Sequence, residues 1–503
     1  MLTRLKVSGF KNLVDVDVRF GPFTCIAGPN GVGKSNLFDA IRFLSDLADR
    51  PLTDAAQAVR GDENGKRLSD IRNLFWHCGD QHESTMSFEA EMIVPSSGQD
   101  DMGGEAEATT TFLRYSLVLA YRKDESLASL GPIEILEEHL KYFKKGDASK
   151  HLLFDHKNSW RESAVQSRRW GTDYISTERV AEGSVIKLHQ DGRHGRPFSR
   201  SAQNLPRTVL SATNAAESPT ALLARREMRS WHLLQLEPSA LRRPDEFSAP
   251  TKLGSNGSHL AATLYRLAHQ NGDVAKNAGN SNVCARVANR LAELIDDVRT
   301  VSIDRDEKRE LLTVNVMGAD KTPHAARSLS DGTLRFLALA VLEQDPEVQG
   351  VLCFEEPENG IHPLRIPAMI GLLQDIATDV NEEVGPENPL RQVIVNTHSP
   401  VVVQQVPEDA LLVAEPTELI HSEMRFAGVR FSCLPGTWRA KSPESRVCKM
   451  GDLLAYLSPV IRHEDGAVES VMGRQTRETK VKKPKRVIDR ADVAPYFPGL
   501  EPV

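Results

Sequence analysis

Gly28-Pro29-Asn30-Gly31-Val32-Gly33-Lys34-Ser35 matches the spacing GxxxxGK(S/T). The apolar run Phe23-Thr24-Cys25-Ile26-Ala27 precedes it, and the period of Leu37, Phe38, Ile41, Leu44 and Leu47 predicts a helix over 35–48 behind it. Strand, glycine turn and helix in this order make a phosphate cradle. The glycines let the backbone curl until its amides point inward, and the helix N-terminus adds the positive end of its dipole. Asn30, Gly31, Gly33, Lys34, Ser35 and Asn36 are the expected contacts. Lys34 reaches the β- and γ-phosphates of a nucleotide in such a loop, and Ser35 ligates Mg²⁺. The fixed positions arise by chance in about 2% of chains of this length, and the flanking strand and helix lower that further.

Three later stretches carry matching chemistry. Val351-Leu352-Cys353-Phe354-Glu355-Glu356 is an apolar strand ending in two carboxylates. Charge at a strand end near the core is costly unless it has a task. Beside a phosphate cradle the task is metal and water: Glu355 is placed to hold Mg²⁺ through water, and Glu356 to orient or deprotonate the attacking water. Leu329-Ser330-Asp331-Gly332-Thr333 precedes a helix expected over 333–343, so Ser330, Gly332 and Thr333 form a second anion site at a helix start. A plain N-cap is the competing reading. Val393-Ile394-Val395-Asn396-Thr397-His398-Ser399-Pro400 is a strand ending in a histidine, and an imidazole there can bond a terminal phosphate and respond to its loss.

Working outward, Leu2 to Phe20 alternates as two short strands. Period two returns over 86–94, 112–121 and 133–143, around an acidic, glycine-rich loop at 98–108. Residues 145–210 are polar and carry little pattern; 216–236, 257–270 and 282–297 read as helices. A second dense block holds strands at 350–354 and 392–396 with helices at 333–343 and 364–378. Strands alternating with helices imply a parallel sheet covered on both faces. The expected fold is therefore α/β: a parallel-sheet P-loop core, antiparallel strands, and a mainly helical insertion. The division expected is 1–95 and 301–415 as two halves of the core, 96–300 as the insertion, and 416–503 as a C-terminal extension. Within the extension, Arg474, Arg477, Lys480, Lys482, Lys483, Lys485 and Arg486 face only Glu478, a solvated linker or a docking strip for an acidic partner.

The chain has 503 residues and a net charge of −7, which neither announces nor excludes a nucleic-acid partner. No run approaches the roughly 20 apolar residues of a membrane helix, and Met1 to Phe20 does not read as a signal peptide. A cytoplasmic protein without a membrane partner is expected. Six cysteines with no CxxC spacing imply reduced, mostly buried thiols.

Taken in order, these motifs resemble the ABC-type ATPase heads of the RecF, OLD and structural-maintenance-of-chromosomes group. Leu5-Lys6-Val7-Ser8-Gly9-Phe10-Lys11-Asn12-Leu13 and Ile26-Ala27-Gly28-Pro29-Asn30-Gly31 look like the opening of that group. By that resemblance Gly28 to Ser35 is Walker A, Leu329 to Thr333 the signature, and Glu355-Glu356 Walker B with the catalytic Glu. Pro357-Glu358-Asn359-Gly360-Ile361-His362-Pro363 is then the D-loop region, and His398 the switch histidine. The resemblance implies ATP and Mg²⁺ as cofactors, ATP hydrolysis, and a homodimer or higher oligomer in which Ser330 of one copy caps the phosphate on Lys34 of another. Glu355 stands where the group has Asp, and its extra methylene implies slow turnover. LSDGT replaces the commoner LSGGQ while keeping Ser330 and Gly332. Gln81 is the nearest candidate for the Q-loop glutamine, with a plain loop residue equally open.

The insertion has no heptad run, unlike chromosome-scale members, and no Asp-x-Asp follows His398, unlike OLD nucleases. What is left is similar to the stand-alone ATPases of bacterial anti-phage systems, implying a separate effector such as a nuclease. The alternative is a RecF-like repair ATPase on duplex DNA, with Arg225-Arg226, Arg242-Arg243 and the 474–486 strip as its basic surface.

Overall fold

The computed structural model describes residues 1–59, 70–79, 81–122, 131–168, 171–181, 183–191, 196–270, 282–421, 423–457, 486, 487 and 490. Among them a seven-stranded sheet carries the order His232–Leu234, Gly350–Glu355, Arg391–Thr397, Phe23–Ala27, Leu411–His421, Met424–Cys433, Arg446–Val447. The first five strands run parallel, and Met424–Cys433 returns antiparallel. Parallel strands covered on both faces must be continuously apolar. Phe23–Ala27 is buried at every residue, and Gly350–Glu355 at every residue until Glu355.

The register decides where function can sit. Leu234 lies opposite Phe354, Glu355 opposite Asn396, and Asn396 opposite Ile26. Four parallel strands therefore end along one edge, and the residues that follow them (Gln235, Glu356, His398 and Gly28) begin there.

Alternate side chains of this sheet enter two cores. Ile26, Val351, Cys353 and Ile394 join Leu37, Phe38 and Ile41 of the helix Lys34–Leu47. Cys25, Leu352, Phe354, Val393 and Val395 join Leu334, Leu337, Met369 and Leu373 of the helices Asp331–Gln344 and Ile366–Ile376. Burying both faces gives the sheet its rigidity, and each apolar side chain removed from water contributes roughly 1.5–3 kcal/mol.

The first core also contains a second sheet, eight antiparallel strands in the order Phe198–Ser201, Gly183–Leu188, Ile175–Val180, Ile133–Tyr142, Phe112–Tyr121, Thr85–Ile93, Leu2–Ser8, Val16–Arg19. It draws strands from both sides of residue 95, and Leu411–His421 likewise runs across residue 415. The pattern-poor stretch 145–210 supplies the three strands at one end of this sheet. Phe198–Ser201 is exposed along its whole length, so no apolar face writes a period into its sequence.

One expected helix divides. The helix read at 216–236 is Pro219–Arg229, and His232–Leu234 is a strand. Leu233 and Leu234 would suit either, and parallel pairing with Cys353 and Phe354 decides for the strand. Five of the six cysteines are buried, Cys78 being half-buried. No helix among the described residues is long and apolar enough to cross a membrane. The basic strip at 474–485 lies outside the described residues.

Candidate functional site

The glycine loop leaves Ala27 and enters the helix at Lys34. Gly31 and Gly33 have φ of 76° and 115°, a region open to glycine and strained for other residues. A Cβ on Gly33 would also stand 2.4 Å from the Asn12 amide, and one on Gly28 2.4 Å from the Ala414 carbonyl. Asn12 braces the loop from below: its Nδ2 donates to the Val32 carbonyl at 3.2 Å, and its Oδ1 accepts from Asn36 at 2.8 Å. Lys11 beside it pairs with buried Asp39 of the helix at 2.7 Å. The helix start has no side-chain cap, so its first amides stay directed at the loop. The Lys34 ammonium donates to the carbonyls of Gly28 (2.6 Å) and Pro29 (2.9 Å). Burial pushes its pKa down, against the charges of Glu356, Glu358 and Glu355.

The acidic strand end faces this loop across a cleft of about 570 Å³ lined by Asn30, Gly31, Gly33, Lys34, Ser35, Asn36, Gln235, Glu355, Glu356, Asn359 and Asn396, among others. Gln235 Nε2 donates to Glu355 Oε2 at 2.6 Å. Glu356 adopts φ 46°, a left-handed conformation that costs a residue with a Cβ about 1–2 kcal/mol. Its amide holds that turn by donating to the Asn396 carbonyl at 3.0 Å. Its carboxylate accepts from Asn359 (2.9 Å) and meets His398 Nδ1 (2.7 Å). Burial works to raise the Glu356 pKa; the bonds from Asn359 and His398 and the charge of Lys34 outweigh it and hold the carboxyl below its usual range. A base at this position stays ionised at neutral pH.

The residues fit a nucleoside triphosphate with a divalent cation. The loop's curl depends on glycine at Gly28 and Gly33, where a Cβ would strike Ala414 and Asn12, and an ammonium, a hydroxyl and two carboxylates line the cleft it borders. Among the described residues no three His, Cys, Asp or Glu side chains form a metal cage. A cation here would draw on Ser35, Glu355, phosphate and water, as magnesium commonly does.

Ser330 caps the helix Asp331–Gln344: its hydroxyl accepts from the Thr333 amide at 3.2 Å and lies 2.7 Å from the Thr333 hydroxyl. Gly332 is required by packing, since a Cβ there would stand 2.2 Å from the Gly360 carbonyl. Arg242 pairs with Asp331 and donates to the Leu329 carbonyl at 3.1 Å. Ser330, Gly332 and Thr333 are not among the residues lining the cleft. Arg335, one turn further on, does line it, and donates to the carbonyls of Leu236 (3.0 Å) and Asn359.

The structure thus brings Asn30, Gly31, Gly33, Lys34, Ser35, Asn36, Glu355 and Glu356 into one cleft, with His398 bonded to Glu356. Gln81, the nearest sequence candidate for the glutamine, sits exposed on the short strand Gln81–His82, whereas Gln235 lines the cleft and donates to Glu355. The signal available in the sequence was Trp231-His232-Leu233-Leu234-Gln235 between a helix and Pro238, a strand too short to announce itself. Of the candidate basic surface, Arg225 pairs with Asp101 at 3.0 Å, Arg226 donates to the Gln99 carbonyl, and Arg242 is held by Asp331.

A P-loop, two carboxylates, a glutamine and a histidine on adjacent ends of one parallel sheet, with a serine-capped helix outside the cleft, define an ABC-type P-loop ATPase head of the RecF, OLD and structural-maintenance-of-chromosomes kind. The chain belongs to the family described as "AAA domain, putative AbiEii toxin, Type IV TA system", which it matches over residues 23–91 and 132–404. It is 37% identical over 65 residues to a DNA replication and repair protein RecF of Parabacteroides distasonis, covering 13% of this chain and 18% of that protein. It is 51% identical over 41 residues to an OLD nuclease of Thermus scotoductus, 8% of each chain. The match thus spans less than a fifth of the length of either curated relative. A solved Smc head bound to the C-winged helix domain of ScpA is similar at 15% identity and a TM-score of 0.44, covering 86% of this chain and 98% of that one.

Proposed function

We propose that this protein binds ATP with Mg²⁺, hydrolyses it in a site completed by a second copy, and signals its closed or open state to a separate effector such as a nuclease, in bacterial defence against phage. One observation carries the composite site: the cleft holds Lys34, Ser35, Gln235, Glu355 and Glu356, while the Ser330-capped start of the helix Asp331–Gln344 lies outside it. A helix N-terminus of this kind suits the terminal phosphate held by another copy.

Within the cleft, Lys34 exchanges the Gly28 and Pro29 carbonyls for phosphate oxygens. Ser35 and Glu355 would hold a magnesium ion, which would supply charge neutralisation at the phosphates. Gln235 orients Glu355. Glu356 orients the attacking water and takes its proton at Oε1 or Oε2. His398 bonds Glu356 and reports loss of the terminal phosphate. Free-energy differences between closed and open forms are what an effector can read. The effector and the defence role rest on the resemblance to stand-alone defence ATPases. Duplex DNA is the second partner, favoured by the likeness to RecF over short segments.

The test is ATP hydrolysis by the purified protein, with and without duplex DNA, beside Lys34→Ala and Glu356→Gln. Turnover abolished by both substitutions, with a dimer trapped by ATP in Glu356→Gln, is expected. Turnover surviving both, or no ATP binding by the unaltered protein, would sink the reading. Stimulation by DNA that fades steeply with salt would move the partner from protein to DNA.

A further inference from the structure

Behind the exposed Glu356–His398 pair lies a second acidic contact, and it is buried. Glu358 is 6% exposed and Thr397 0% exposed. The Thr397 hydroxyl donates to Glu358 Oε1 and accepts from the Ser399 amide at 2.9 Å. The residues on both sides of His398 are therefore tied to Glu358, two positions along from Glu356. The two carboxylates work on one turn from opposite sides: Glu356 meets the imidazole at 2.7 Å, and Glu358 holds the backbone that carries it. Glu358 Oε2 is buried without a hydrogen-bond partner among the described residues. A carboxyl in such a place is costly. An apolar residue of similar size would serve the core at less cost, so the oxygen that accepts from Thr397 needs a reason.

We propose that Glu358 is a positioning residue for hydrolysis, setting His398 against Glu356 through the Thr397 hydroxyl. The proposal rests on the ATPase reading above. It makes the loop after the acidic strand and the turn after the Arg391–Thr397 strand a single mechanical unit. Displacement of one moves the other, because the link is buried and has no water to take its place. Burial raises the Glu358 pKa, with the Thr397 bond acting against it and the Glu356 charge adding to it. Either protonation state leaves Oε1 able to accept the Thr397 proton.

The experiment compares Glu358→Met and Thr397→Val, which keep volume and delete the bond, with Glu358→Gln and Thr397→Ser, which keep it. Turnover, KM for ATP and the imidazole ¹⁵N resonances of His398, assigned by His398→Gln, are measured on the full chain. Expected is a fall in kcat of about ten- to a hundredfold in the two deleting variants, with KM changed by less than about twofold. The double variant falls no further than either single one. Gln and Ser restore most of the loss, and the His398 resonances shift only in the deleting variants. Unchanged kcat and His398 resonances in Glu358→Met would overturn the proposal. So would equal damage in Glu358→Gln and Glu358→Met with KM rising, the sign of general loss of structure. If the unaltered protein turns over no ATP, the ATPase reading fails by itself, and the His398 resonances alone decide whether Glu358 positions the imidazole.

Discussion

Two helix starts in this molecule use the same local physics and end in different situations. At Lys34–Leu47 the preceding residue is a left-handed glycine and no side chain caps the helix, so its amides stay open toward the cleft. At Asp331–Gln344 the Ser330 hydroxyl already accepts from Thr333, Arg242 neutralises Asp331, and the start lies outside that cleft. Both have the positive end of a helix dipole. The first is surrounded by a lysine, two carboxylates and a glutamine; the second is closed by the Ser330 cap. A helix N-terminus is thus only an opportunity, and its neighbours decide what is done with it.

Five substitutions press on that contrast. Lys34→Ala has the largest expected effect: ATP affinity falls about a hundredfold, in line with the loss of charge-assisted bonds, read by fluorescent nucleotide titration. Loss of less than about threefold would mean that the first helix start is no phosphate site. Ser330→Arg should leave the affinity of a single copy within about twofold yet cut turnover by more than about tenfold, and abolish the ATP-dependent dimer in light scattering. An arginine variant that still dimerises would show that the second start is only a cap. Gln235→Ala lowers turnover about tenfold and raises the Mg²⁺ concentration needed, while Gln81→Ala changes neither. The reverse outcome would return the glutamine role to Gln81. Ser330→Ala tests the cap alone and should cost about 1 kcal/mol in urea unfolding without altering nucleotide affinity.

Legibility followed locality. Gly28 to Ser35 could be read because loop, strand and helix are consecutive and every requirement is local. Glu355-Glu356 and His398 could be read because an apolar run ending in a polar residue marks the end of a buried parallel strand. Gln235 could not, since a strand of His232-Leu233-Leu234 carries too little period to be told from the end of a helix. The three strands within 145–210 were hidden for a related reason: Ile175, Ile186 and Leu188 are their only buried residues and Phe198–Ser201 is exposed throughout, too few apolar positions to write a period.

Sequence alone determined that a strand, a glycine loop and a helix follow one another at 23–47 and that a parallel sheet carries them, because glycine conformational freedom and continuous apolar runs are properties of neighbouring residues. Only tertiary structure decided which side chains share the cleft, because strand order is set by pairing between segments more than a hundred residues apart. Phe23–Ala27 lies beside Arg391–Thr397, and His232–Leu234 beside Gly350–Glu355. From that order come Gln235 on Glu355, His398 on Glu356 and Glu358 on Thr397, contacts that no spacing along the chain records.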